Sequence, residues 1–110
     1  MLKILKEGNS QSAQILSQAI TSGKLEGDAR NTVIRANDLF NALSEAGNNV
    51  LVKVDTNGTT QLRSLLNDGY IQMTVTSPTD KIKLYSGGQY ELSDENLNRI
   101  KEISEIADKY

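Results

Sequence analysis

The chain has 110 residues, 37% hydrophobic and 5% aromatic, with a formal net charge of -2; this bounds it to one domain with a modest core of Leu, Ile, Val and Ala. It contains no Cys and no His, which excludes a disulfide framework, a zinc site of the usual Cys/His type, and Cys–His or Ser–His–Asp catalysis. The balance is not the strongly basic one that would by itself announce a nucleic-acid protein, although a local basic patch fits inside a neutral total.

Residues 1–7 alternate Leu2 and Ile4 across Lys3, which predicts a strand. Gly8-Asn9-Ser10 is turn chemistry, and Asn9 or Ser10 can cap a helix running to about Ser22. Its apolar stripe is Ile15, Leu16, Ala19 and Ile20, and Gly23 suits the position just past its end. Residues 24–30 read as a polar loop. Residues 31–36 read as a strand around Val33 and Ile34. Asn37-Asp38 then caps a helix over 38–46, with Leu39, Phe40, Leu43 and Ala46 as its stripe and Gly47 closing it. Asn48-Asn49 turns the chain into Val50–Val54, a run of mostly β-branched residues that predicts a strand.

Asp55-Thr56-Asn57-Gly58 is a turn. Over 59–68 the spacing of Leu62, Leu65 and Leu66 suits a short helix, while Asn57-Gly58 suits a hairpin; the helix is the preferred reading. Residues 70–77 alternate as a strand that Pro78 ends. Residues 81–85 alternate again before the turn Ser86-Gly87-Gly88, and 89–92 read as a short strand. A last helix spans 93–109. Ser93 is its N-cap, Asp94 and Glu95 complement its dipole, and Leu92 and Leu97 are placed for a hydrophobic staple. Leu97, Ile100, Ile103 and Ala107 form its stripe, with Ile106 beside it. The fold class expected is α+β: a single domain over 1–110 with a mixed sheet of four to five strands, two helices on one face and an added C-terminal helix. The core is expected on strand runs 2–5, 33–36, 50–54, 71–75 and 82–84.

Residues 1–78 balance seven basic against seven acidic side chains, and 79–110 hold five against seven, so the acidic excess sits mostly on the last helix. Lys3, Lys6, Lys24, Arg30 and Arg35 make a basic surface if they converge. The plainer reading is ordinary solvated charge interspersed with Glu7, Glu26 and Asp28. The loop from Gly8 to Ser12 joins a strand to a helix N-terminus, where free N–H groups suit a phosphate. It carries neither the GxxxxGK[ST] nor the GxGxxG pattern. Asp94/Glu95 is explained by capping and Glu102/Glu105 by a solvated helix face, so no acid/base pair is marked and no enzyme is expected. Asp55 opens a stretch resembling the start of a calcium loop, but the closing position twelve along is Leu66. Tyr70, Tyr85 and Tyr90 lie on or beside strands and could stack on a base, although a core or rim role is the plainer reading. No apolar run approaches the roughly 20 residues of a membrane span, and the first residues are too polar for a signal peptide. A cytoplasmic protein without cofactor or membrane is expected.

The opening MLKILKEGNSQSAQILSQAI, with a Met-x-x-Leu-Lys strand, a small polar loop and an Ala-containing helix, resembles the Alba superfamily, including its stage V sporulation protein S branch. Residues 33–42, VIRANDLFNA, are similar to that family's second strand and helix. The resemblance covers about half the chain and implies a βαβαβ unit over 1–54, a homodimer, and a nucleic-acid role for Lys3, Lys6, Ser10, Gln11 and Arg35, to which the charge reading adds Arg30. The chain departs from the pattern at Asn37-Asp38, where the family has Gly, and at Gly8-Asn9-Ser10, where it often has Lys. Two classes therefore stand. One is a small non-enzymatic nucleic-acid-binding protein. The other is a protein–protein interaction module, or a small inhibitor or accessory factor, that uses its acidic C-terminal helix against a basic partner.

Overall fold

The computed structural model describes residues 9–87 and 91–110. Three helices, α1 (Asn9–Thr21), α2 (Gly27–Glu45) and α3 (Asp94–Ala107), accompany four strands, β1 (Val50–Val54), β2 (Thr60–Leu66), β3 (Gly69–Val75) and β4 (Lys83–Ser86). The strands pair in sequence order as an antiparallel meander. The class is α+β as expected, but among the described residues the sheet is antiparallel rather than mixed. The expected strands over 1–7 and 89–92 fall wholly or partly outside the described residues; Glu91 and Leu92 have no regular structure.

The largest departure lies in α2. Residues 24–36, expected as a loop and a strand, mostly belong to one helix with the 38–46 segment. The order helix–helix–strand over 9–54 replaces the helix–strand–helix–strand expected there, and with it the second strand of the expected βαβαβ unit. Thr32, Val33, Ala36, Leu39, Phe40 and Leu43 are all buried and recur at helical spacing, so the apolar stripe runs unbroken through the supposed cap. Asn37 and Asp38 occupy the outer side of that helix. Packing of the stripe outweighs the weak preference of Val33 and Ile34 for a strand. The helix ends as expected: Gly47 has φ +86°, its N–H bonds the Ser44 carbonyl, and the Asn48 N–H reaches back to the Leu43 carbonyl.

A second correction concerns 59–68, where Thr60–Leu66 form β2 and no helix is present. The hairpin signal prevails because Asp55 locks the turn. Its Oδ1 accepts from the Asn57 and Thr59 N–H groups at 2.8 and 3.0 Å, and Gly58 takes φ +82°. Thr60, Leu62 and Ser64 then alternate inward, whereas Leu65 is 40% exposed.

The inner face of the sheet presents Val50, Val52, Leu62, Ile71 and Met73 to Leu16 of α1, to Val33, Leu39, Phe40 and Leu43 of α2, and to Ile103 of α3. All three helices therefore contribute to the core on one face of the sheet, and among the described residues the other face carries no helix. In α3 the stripe holds at Ile103 and Ala107, but Leu97 is 51% exposed, and the buried residue of that turn is Asn96. Polar capture at the helix start displaces the expected leucine. Ser93 Oγ accepts from the Asn96 N–H at 3.3 Å. Asp68, in the β2–β3 turn, accepts from the Ser93 N–H at 2.9 Å and from the Asn96 side-chain amide.

These bonds hold the Asp68 carboxyl below its ordinary value of 3.8. The Ser93 N–H is the largest cause, partial desolvation opposes it, and the Asn96 amide adds to it. A carboxylate with a depressed folded-state pKa contributes fully above its unfolded value and loses that contribution as pH falls through the folded one. The capture of α3 should therefore persist at neutral pH and weaken below about pH 3.8. Asp68→Asn should flatten the acid limb of a thermal-stability profile between pH 5 and 2 relative to wild type. An unchanged profile would show that this carboxylate does not anchor the helix.

Candidate nucleic-acid interface

A strand alternates its side chains, so register assigns each residue to a face. Leu51, Arg63, Gln72 and Tyr85 form one cross-strand row on the face away from the helices. Lys53, Gln61, Thr74 and Lys83 form the next, and Leu65 and Tyr70 a partial third. Lys53 and Lys83 stand three strand spacings apart, about 14 Å. Tyr85 is 51% exposed, whereas Leu51 is buried although it shares this face. The open part of the surface therefore lies toward β2, β3 and β4.

The strands carry charge of one sign only. No residue in any of the four strands is acidic, and their charged side chains are Lys53, Arg63 and Lys83. The carboxylates of the described residues lie on the helices and in the connections. A near-neutral chain thus carries a sheet whose charges are all basic, beside helices in which α1 has no charge and α2 and α3 together hold seven acidic and four basic side chains.

Arg63 is held in place. Its guanidinium carbon lies 4.3 Å from the Tyr70 ring centroid, and its Nε donates to Gln72 Oε1 at 3.2 Å. Gly87 makes room for that ring, since a Cβ there would fall 2.0 Å from Tyr70 Cε2, and its N–H donates to the Tyr70 carbonyl at 2.8 Å. Beside this group a shallow depression of about 320 Å³ is lined by Thr74, Thr76, Asp80, Lys81, Lys83 and Tyr85. Asp80 is its one carboxylate and accepts from the Thr76 hydroxyl at 3.0 Å. No family model, curated protein or solved structure matches the chain.

Of the residues nominated from the sequence, the described ones are spread over two helices. Lys3 and Lys6 lie outside the described residues. Ser10 and Gln11 are in the first turn of α1, and Arg30 is exposed near the start of α2. The two helices join through residues 22–26, so their N-termini are separated by about the length of α1, roughly 20 Å. Arg35 is committed internally. It donates to the main-chain oxygens of Pro78, at 3.0 Å, and of Asp80 and Tyr110, tying α2 to the β3–β4 connection and to the residues that follow α3. Arg35→Ala should lower stability by about 1–3 kcal/mol, as expected for lost hydrogen bonds to a charged group, while leaving oligonucleotide affinity within about twofold. Urea titration and fluorescence anisotropy check the two halves of that expectation.

A polar recess of about 590 Å³ between the β1 and β2 ends and α3 is lined by Asn48, Asn67, Asn96, Arg99 and Glu102 among others. Its chemistry is structural. Arg99 donates to the Gly47 carbonyl at 3.0 Å and pairs with Glu102 at 2.9 Å, and Asn96 holds Asp68.

Proposed function

We propose that the protein is a small non-enzymatic nucleic-acid-binding protein that works through the helix-free face of its sheet. The observation that carries this reading is the single sign of the strand charges: Lys53, Arg63 and Lys83 lie on a face without a strand carboxylate, in a chain whose net charge is -2. Polyanion binding gives a use to strands whose charged side chains are all basic in a chain of negative net charge. Lys81 at the rim of the depression extends the same surface. The reading does not use the helix N-termini.

A second reading, a protein-binding role for α3, is favoured by Leu97, which is 51% exposed on a helix that begins with Asp94 and Glu95. One titration separates the two. A labelled 20-nucleotide strand should bind at 50 mM salt and lose about 20- to 50-fold in affinity by 200 mM, the consequence of releasing counterions from three or four phosphates. Absence of binding at 50 mM would remove the nucleic-acid reading and leave the α3 surface.

A further inference from the structure

We infer that the sheet face takes single-stranded rather than duplex nucleic acid, with one base stacked on Tyr85 and a neighbouring phosphate held by Arg63. This rests on the nucleic-acid reading above and specifies its ligand. Three observations carry it.

The first is shape. Four paired strands, about 4.8 Å apart, make a surface wider than the roughly 12 Å major groove, so a duplex could meet this face only along its backbone. The second is the disposition of aromatic and cation. Tyr85 and Arg63 share a cross-strand row with Gln72 between them, about 10 Å apart. Tyr85 is more than half exposed and stands at the wall of the depression, so its ring is free to take a base whose π-face is not already stacked. The third is preorganisation. Tyr70 and Gln72 fix the Arg63 plane through its face and its Nε, which leaves the Nη groups as a fork suited to phosphate oxygens. Tyr70 is thereby a positioning residue and Tyr85 the stacking one. Gln61, Gln72 and Thr74 line the path between the cations with groups that hydrogen-bond to bases or sugars without adding charge.

The test is fluorescence anisotropy at 50 mM salt with 12-nucleotide single-stranded RNA and DNA, the matching duplexes, and poly-glutamate, for wild type, Tyr85→Phe and Tyr85→Ala. The side chain is exposed on an edge strand, so both variants should keep the wild-type circular dichroism spectrum. Single strands are expected to bind at least about tenfold tighter than duplex. Tyr85→Ala should lose about 5- to 150-fold, the range seen for removing one stacked aromatic, and Tyr85→Phe should retain most of the affinity. Equal or tighter duplex binding, or a Tyr85→Ala loss below twofold on single strands, would overturn the inference while leaving a nucleic-acid protein. Poly-glutamate bound as well as single strands would overturn both readings, as would no binding to any oligonucleotide.

Discussion

Gly58→Ala should lower the stability of the protein by about 3 kcal/mol, combining the cost of a left-handed non-glycine residue with that of an overpacked contact. The turn between β1 and β2 lies directly on the first part of α2. At Gly58 a Cβ would stand 2.7 Å from the Ala29 carbonyl oxygen and 2.9 Å from its Cα, and φ is +82°. The obstruction is backbone, so no side-chain rotation relieves it. Gly23 provides the comparison: its φ is +72° but nothing lies within 4 Å of a Cβ there. Gly23→Ala should therefore cost only the conformational part, about 1 kcal/mol. Thermal melts of the two variants should differ by roughly 10 °C. Equal shifts would mean that the hairpin does not seat on α2 as described.

The second large effect concerns affinity. Replacing Arg63 and Lys83 together by Glu should weaken single-strand binding at 50 mM salt by at least about 50-fold, and should make the slope of log affinity against log salt shallower by about 1.4, two phosphates at roughly 0.7 each. Stability should change less, because both side chains are on the outer face of the sheet and the half-buried Arg63–Tyr70 contact is worth about 0.5–2 kcal/mol. Arg30→Glu makes half that change of charge, on α2 in the opposite layer, and should leave affinity unaltered. A comparable loss from Arg30→Glu would indicate a response to net charge and not to this face.

Much of the scaffold was legible in the sequence. The α1 stripe, the Gly47 terminus, the β1 run, the last two strands and the Ser93 cap all follow from local rules that the packing leaves intact. Two stretches misled for identifiable reasons. Val33-Ile34 followed by Asn37-Asp38 has the local chemistry of a strand and a cap, yet the spacing from Thr32 to Leu43 is a single helical period. Leu62, Leu65 and Leu66 fit a helical period, yet the Asp55 turn commits the next residues to a hairpin, with Leu65 outward.

That second error also hid the candidate site. Placed on a helix, Arg63 has no relation to Lys53, Lys83 or Tyr85. Read as a strand, 60–66 alternates Leu62 and Ser64 inward with Arg63 outward, just as 82–85 alternates Ile82 and Leu84 with Lys83 and Tyr85. The absence of Asp and Glu from every strand was visible in the sequence once those boundaries were known. The partnership of Arg63 with Tyr70 and Gln72 was not, because it depends on the cross-strand register and on the space left by Gly87. Arg35 shows the converse. Its charge was plain in the sequence, but its three main-chain acceptors come from distant segments brought together by folding.

The most direct test of the helix-free face as the binding surface is a titration of the ¹⁵N-labelled protein with a 12-nucleotide single strand, followed by amide chemical shifts and by the side-chain signals of Arg63, Gln61 and Gln72. The largest changes should fall on β2, β3 and β4 around Arg63, Gln72, Lys83 and Tyr85, with the amides of α2 and α3 little moved. Changes centred on α3, or on the starts of α1 and α2, would contradict it.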